Sequence, residues 1–193
     1  SALVALWGSA ALRDATLAAQ AAVQGVGSVL AALWRTSPEE ACLALAGPFA
    51  LAIVDGDTHD ALLAVDRMGI HPLAYRMDEG ALVFASNADA IALHPRAREL
   101  RVDPQGIYDY VYFHMVPSPG HVYQGVQRVL PGEMVVCGQG KTQRRRYWRM
   151  RFEESARPRF AELREQFTRA VRDSVRDTCI GSETGAFLSG GTD

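Results

Sequence analysis

The residues with the clearest chemical use stand where the apolar run Gly185-Ala186-Phe187-Leu188 gives way to Ser189-Gly190-Gly191-Thr192-Asp193. Two adjacent glycines let the backbone approach a ligand, their N–H groups can converge on phosphate oxygens, and a helix starting just beyond would add its positive end. Such a junction suits an anion, although an ordinary glycine-rich turn remains open on this stretch alone. Other reactive residue types lack useful spacing. Cys42, Cys137 and Cys179 are odd in number, far apart and without CxxC spacing, which fits neither a disulfide framework nor a zinc site. Cys42 sits beside Leu43 in a predicted helix, the setting of a small buried side chain. His59, His71, His94, His114 and His121 show no ligand spacing such as HExxH, so no metal site is expected. A Ser1 hydroxyl activated by its own amine is chemically conceivable, but a start without Met reads as a trimmed end.

Those residues need elements to hold them. At 193 residues and 48% hydrophobic, the chain can bury one ordinary core with part of a second domain left over. Lys plus Arg number 20 against 22 for Asp plus Glu, a balance that gives no field to draw in nucleic acid or an acidic membrane. No apolar run approaches the roughly 18 residues of a membrane span, and no basic n-region opens the sequence, so a soluble cytoplasmic protein is expected. Ala2 to Trp7 reads as a buried strand, Leu12 to Val23 as a helix, and Val29, Leu30, Leu33 and Trp34 as one helical face packed on a sheet. Ser37-Pro38-Glu39-Glu40 is a helix start with a capping Ser, and Gly47 a stop. Phe49 to Val54 and Ala61 to Val65 flank Asp55-Gly56-Asp57 as a buried hairpin, followed by strands at Leu73 to Arg76 and Ala81 to Ala85.

Asp103-Pro104 opens a helix carrying Ile107, Tyr110, Val111 and His114 at helical spacing, which reads as core, until Pro117 and Pro119 end it. A last hairpin is expected from Gly132 to Val136 and Arg144 to Trp148. Arg144-Arg145-Arg146 reads as a solvated strand edge. From Phe160, apolar residues at 163, 167, 171, 175 and 179 mark a long amphipathic helix and a new domain. The expected division is a first domain over 1–148, a linker over 149–158, and the truncated start of a second domain over 159–193.

Leu188-Ser189-Gly190-Gly191-Thr192-Asp193 resembles the SGGxDS loop of ATP pyrophosphatases, whose family role is to hold the pyrophosphate of ATP. Leu45 to Asp55, Asp66 to Tyr75, Phe84-Ala85-Ser86, Leu130-Pro131-Gly132 and Tyr147-Trp148 resemble, in order, the motifs of glutamine-hydrolysing asparagine synthetases. The resemblance implies an α+β fold: the antiparallel sheet layers and helices of an N-terminal-nucleophile amidotransferase, here partial, followed by the first helix and strand of an α/β nucleotide-binding domain. It implies a ligase that adenylates a carboxylate such as aspartate with ATP and magnesium, then passes to it an amine drawn from glutamine or ammonia. Leu188, Ser189, Gly190, Gly191 and Asp193 would bind ATP and its pyrophosphate; oxyanion charge that builds on the departing group needs such a grip.

The sequence departs from that family in the glutaminase half. No Cys stands near the start, the strand that should end in Asn-Gly-Glu ends in Trp7-Gly8-Ser9, Val26-Gly27-Ser28 replaces a substrate-binding Asp, and the Arg-Gly-Pro-Asp motif has no counterpart. Substitutions at Trp7 to Ser9 and at Val26 point to a worn amidotransferase site rather than simple loss of the first strands. Relatives that use the substrate's own amine, β-lactam synthetases and lasso-peptide cyclases, and a non-catalytic scaffold are the alternatives. Asp66 and Arg67 belong to the family pattern, yet a structural turn accounts for them equally well.

Overall fold

The computed structural model describes residues 1–95, 100–138, 141–152, 159–179, 184–185 and 190. The chain divides into two compact units, Ser1–Met150 and Arg151–Asp193.

The first unit is organised by a five-stranded antiparallel sheet. Its strands are β1 (Ala2–Gly8), β4 (Phe49–Asp55), β5 (Ala61–Val65), β9 (Glu133–Gly138) and β10 (Lys141–Arg146), in the order β1-β4-β5-β9-β10. The central strands β4 and β5 are apolar from Phe49 to Val54 and from Ala61 to Val65 because both of their faces are covered there. Phe49, Leu51, Ile53 and Leu62 face one core, and Ala50, Ala52, Leu63 and Val65 face another. The turn between them is closed by Asp55, whose carboxylate accepts from the Asp57 and Thr58 N–H groups at 2.8 and 3.2 Å.

Two helices, α2 (Val26–Thr36) and α3 (Pro38–Leu43), cover the first face, and α1 (Ala15–Gln24), which buries none of its residues, packs along α2. Asp14 caps α1 by accepting from Thr16 and Leu17 N–H at 2.8 and 3.0 Å. Gly25, at φ +85°, separates α1 from α2 in a conformation that side chains disfavour. The Ser37 hydroxyl makes no capping bond to α3, contrary to the reading of its sequence; Pro38 at the first position, with Glu39 and Glu40 in the first turn, favours the start instead. A two-residue ribbon of β2 (Ala11–Leu12) and β3 (Leu45–Ala46) links the helical layer to the sheet.

The other face of the sheet packs on a second antiparallel sheet, β7-β6-β8, made of β6 (Ala74–Asp78), β7 (Ala81–Ala85) and β8 (Val126–Arg128). Beyond it, α4 (Ala88–Ala92), capped by Asn87, closes a third core around Ala74, Val83, Ile91 and Val126. The layers therefore run helices, sheet, sheet, helix: the α+β arrangement of antiparallel layers that the motif order implies.

Three expectations differ from what is observed. Ala2 to Gly8 is an edge strand and not a buried one, with Leu3 71% and Trp7 53% exposed, because the second sheet does not cover its outer face. The last strand spans Lys141–Arg146 and not Arg144 to Trp148; of its arginines, Arg144 folds back as a bidentate partner of buried Glu133 at 3.0 and 2.9 Å. Finally, α5 (Pro104–Phe113) buries only Gly106, so its aromatic residues are not core.

In the second unit, α6 (Phe160–Thr178) carries an exposed stripe of Phe160, Leu163, Phe167, Val171 and Val175. Among the described residues, no helix is long and apolar enough to cross a membrane.

Candidate functional site

Gly8 ends β1 at a crowded junction. It sits at φ +117°, and a Cβ there would lie 2.4 Å from the Pro48 carbonyl oxygen and 2.6 Å from Cδ2 of His71. Only glycine fits there. The next residue donates its N–H to the Pro48 carbonyl at 3.0 Å, fixing the departure of the chain. On the other side of Gly8, Trp7 lies against His71 with ring centroids 4.5 Å apart and planes tilted by 42°.

His71 is held by the loop that Asp66 organises. The Asp66 carboxylate is buried and accepts N–H groups from Phe49, Met68, Ile70 and His71 at 3.2, 2.9, 2.9 and 3.3 Å. Its carbonyl also accepts from Gly69 and Gly132 at 3.1 and 3.0 Å. Asp66 is therefore the structural clamp of the Asp66–His71 loop, tying it to the start of β4 and to Gly132. Arg67 points elsewhere, its guanidinium 5.6 Å from the ring centroid of Trp148. Tyr147 donates its hydroxyl to the Val65 carbonyl at 2.6 Å, and burial pushes that phenol well above its ordinary range.

Beside this junction a cavity of about 530 Å³ opens between β1 and the end of β7. Val4 to Trp7, Ala50 to Ala52, Leu73 and Phe84 to Ser86 line it. Among the described residues, the Trp7 indole and the Ser86 hydroxyl are its only polar side-chain groups, and no titratable side chain lines it. Free glutamine is a zwitterion and needs charged or strongly hydrogen-bonding partners at both its ammonium and its carboxylate once buried. This lining does not supply them.

Neither of the two buried thiols supplies a nucleophile. Burial, reinforced by the Glu39 charge, pushes Cys42 up to about 12, and burial also raises Cys137. A thiol is reactive only as thiolate, so these two are packing residues. Ser1 stands at the far end of β1 from Gly8, about 23 Å away at about 3.3 Å per residue, with its amine paired to Asp57. Among the described residues, no group of three or more His, Cys, Asp or Glu side chains could hold a metal ion.

Of the sequence-derived nucleotide residues, Leu188, Ser189, Gly191 and Asp193 lie outside the described residues. Gly190 is described only at a bend, with no heavy atom within 4 Å of where a Cβ would stand. The contact between Trp7 and His71 is the feature that sequence reading missed. The two residues are 64 positions apart, and nothing in either's neighbourhood signals the other.

The profile of the family described as "Glutamine amidotransferase domain" matches residues 9–148. The chain belongs to the glutamine amidotransferase domain family. Asparagine synthetase [glutamine-hydrolyzing] 1 of Bacillus subtilis is 29% identical to it over 171 residues, an alignment covering 86% of this chain and 26% of that protein. Asparagine synthetase [glutamine-hydrolyzing] 3 of the same organism is 29% identical over 77% of this chain and 24% of its own length. A putative asparagine synthetase [glutamine-hydrolyzing] of Mycobacterium tuberculosis is 28% identical over 183 residues, 89% of this chain and 28% of that one. The chain thus spans about a quarter of the length of these curated relatives. Among solved structures, glutamine phosphoribosylpyrophosphate amidotransferase from B. subtilis, complexed with ADP and GMP, superposes with a TM-score of 0.44 and 23% identity over 76% of this chain and 29% of that one. An alignment covering 89% of the chain necessarily runs past Met150, so the similarity to asparagine synthetases takes in the second unit as well as the amidotransferase domain.

Proposed function

We propose that the intact protein is an ATP-dependent, amide-forming ligase of the asparagine-synthetase type, and that residues 1–148 do not by themselves carry the parts for glutamine hydrolysis. In the reaction, an acceptor carboxylate oxygen attacks the α-phosphate of ATP and pyrophosphate leaves. An amine then attacks the acyl carbon, AMP departs, and the amine gives up its proton. Ser189, Gly190, Gly191 and Asp193 would hold the pyrophosphate, with Leu188 beside the nucleotide; magnesium would be held by residues outside those described. The observation that carries the ligase reading is the run of similarity to asparagine synthetases past Met150. The exchange of ATP and pyrophosphate by the intact protein, with aspartate as first trial acceptor, tests it. Exchange is expected with the right carboxylate and should fall by at least about tenfold in Asp193→Ala; unchanged exchange in that variant removes the loop from the mechanism.

The lack of those parts rests on the uncharged cavity lining beside Gly8, together with the raised pKa values of Cys42 and Cys137. Residues 1–193 by themselves should release no ammonia from glutamine. Release that disappears on replacing Ser1 overturns this. The same lining favours an amine supplied by the substrate itself, or by free ammonia, over one drawn from glutamine. Amide formation that proceeds with neither glutamine nor ammonia present identifies an internal amine, as in β-lactam synthetases and lasso-peptide cyclases. The described cysteines are all free, which agrees with a cytoplasmic setting.

A further inference from the structure

Helix α5 is apolar around most of its circumference and buries almost none of that surface. Gly106 is its only buried residue; Ile107, Tyr108, Tyr110, Val111, Tyr112 and Phe113 are all exposed, from 46% at Ile107 to 69% at Val111. At about 100° per residue these six side chains sweep about 260° of the helix, where a helix lying on a protein surface needs only about 100°. The one polar strip is formed by Gln105 and Asp109, hydrogen-bonded to each other at 2.7 Å. Such a helix is inserted between surfaces rather than laid on one.

The attachment of α5 to the first unit leaves a hollow beside it. Gly106 lets the helix approach the His121–Val122 backbone, where a Cβ would stand 2.9 Å from the His121 carbonyl oxygen. Asp103 N–H donates to the Val122 carbonyl at 2.8 Å, fixing the start of the helix. Next to that anchor lies a cavity of about 480 Å³ walled by Ile107, Tyr110, Met115, Val116 and His121, with Arg128 at its edge. Among the described residues, the buried Nδ1 of His121 has no hydrogen-bond partner. Apolar walls with an unpaired ring nitrogen fit an apolar side chain that arrives with a hydrogen-bonding group beside it.

We propose that α5 and this cavity form the seat of the polypeptide that follows Asp193 in the intact protein. The proposal rests on the ligase reading only in taking the protein to continue as its relatives do, of whose length this chain spans about a quarter. A second copy of the chain fits less well. A stable dimer buries about 800 Å² per partner, and a ten-residue helix about 15 Å long and 10 Å wide offers only a few hundred. A contact within one chain needs far less area, because the tether already holds the partner at an effective concentration in the millimolar range.

The test places the photocrosslinking residue p-benzoylphenylalanine at Tyr112, and in a second variant at Tyr110, of the intact protein, with Val23, 90% exposed on α1, as the reference position. Circular dichroism matching the parent confirms folding. After irradiation, mass spectrometry of peptides is expected to find crosslinks from positions 110 and 112 to residues beyond Asp193 within single chains, and none from position 23. Crosslinked pairs of chains, crosslinks confined to residues before Ser1, or no crosslinks at all would each overturn the proposal. ATP–pyrophosphate exchange by the parent protein separates the two readings. Crosslinks without exchange sink the ligase and leave the seat, and exchange without crosslinks does the reverse.

Discussion

The centre and one edge of the five-stranded sheet obey the same alternation and meet different fates. At β4 and β5, odd and even residues alike are sealed, with Leu51, Ile53, Leu62 and Leu63 fully buried. On β1, Val4 and Leu6 pack against the helical layer while Leu3 and Trp7, on the opposite face, stand open. Alternation decides which face a residue joins; closure depends on what lies across from it. The second sheet covers β4, β5 and β9 but leaves β1 free, and the groove thus formed shares Trp7 with the junction at which that ring meets His71 beside Gly8. The stable part of the domain and its candidate site are built from the same strand pattern, separated only by the reach of the neighbouring sheet.

The largest expected effect breaks that comparison if it fails. Leu62→Ala opens a cavity in a sealed layer and should destabilise the first unit by about 2–5 kcal/mol, whereas Trp7→Ala on the open face should cost less than about 1 kcal/mol. Urea unfolding of the intact protein reads both. A Trp7→Ala loss as large as that of Leu62→Ala would mean that the outer face of β1 is covered in the intact protein. The groove would then be an internal surface and not a site.

Gly8→Ala sharpens the comparison at the point where the two regions join. The added methyl must clear the Pro48 carbonyl and His71, and the φ of +117° is itself unfavourable for alanine, so about 1–3 kcal/mol of strain is expected. The strain should also displace His71 from Trp7. Tryptophan fluorescence that shifts in Gly8→Ala but not in Gly80→Ala, a position at φ +82° with open space around it, supports a local effect on the pair. An equal shift in both variants would remove Gly8 as the positioner of His71.

Much of the sealed region was legible in the sequence. Phe49 to Val54 and Ala61 to Val65 are apolar without interruption around Asp55-Gly56-Asp57, and a run of that length with a turn at its centre leaves few alternatives to a hairpin covered on both faces. The expectation of a nucleotide loop also came from a local pattern, Leu188 to Asp193, because a phosphate cradle is made of consecutive residues, but of these only Gly190 lies within the described residues. The open region resisted. Periodicity marks Ile107, Tyr110 and Val111 as wanting burial but is silent on what would bury them, so α5 reads as core when the first unit leaves it exposed. The lining beside Gly8 joins β1, β4, Leu73 and the end of β7, four stretches whose proximity only the sheet order creates.

The smallest effect concerns His121, at the rim of the second open region. Its imidazole is partly buried, and that burial, with the positive charge of Arg128 added, lowers its pKa below 6.5 against an opposing pull from Asp89. Its ring stacks on Tyr123 at 5.7 Å, and the Tyr123 hydroxyl donates to Asp89 at 3.0 Å, so the carboxylate is already engaged when the imidazole would need it. The sign follows from linkage. A histidine whose folded pKa is depressed binds its proton more readily in the unfolded chain, so its contribution to stability is complete above pH 6.5 and is lost as pH falls through the folded value. The intact protein should therefore lose a little thermal stability between pH 7.5 and pH 5 through this residue, and His121→Gln, which keeps a hydrogen-bonding group and cannot take the proton, should flatten that part of the profile. The difference between the two profiles, not either alone, is the readout, because other groups titrate in the same range. If a carboxylate from beyond Asp193 fills the seat beside α5, it would raise the His121 pKa and reverse the sign, making His121→Gln the steeper profile as pH falls. A flat difference would place His121 outside any titrating contact, and a reversed one would identify the incoming group as acidic.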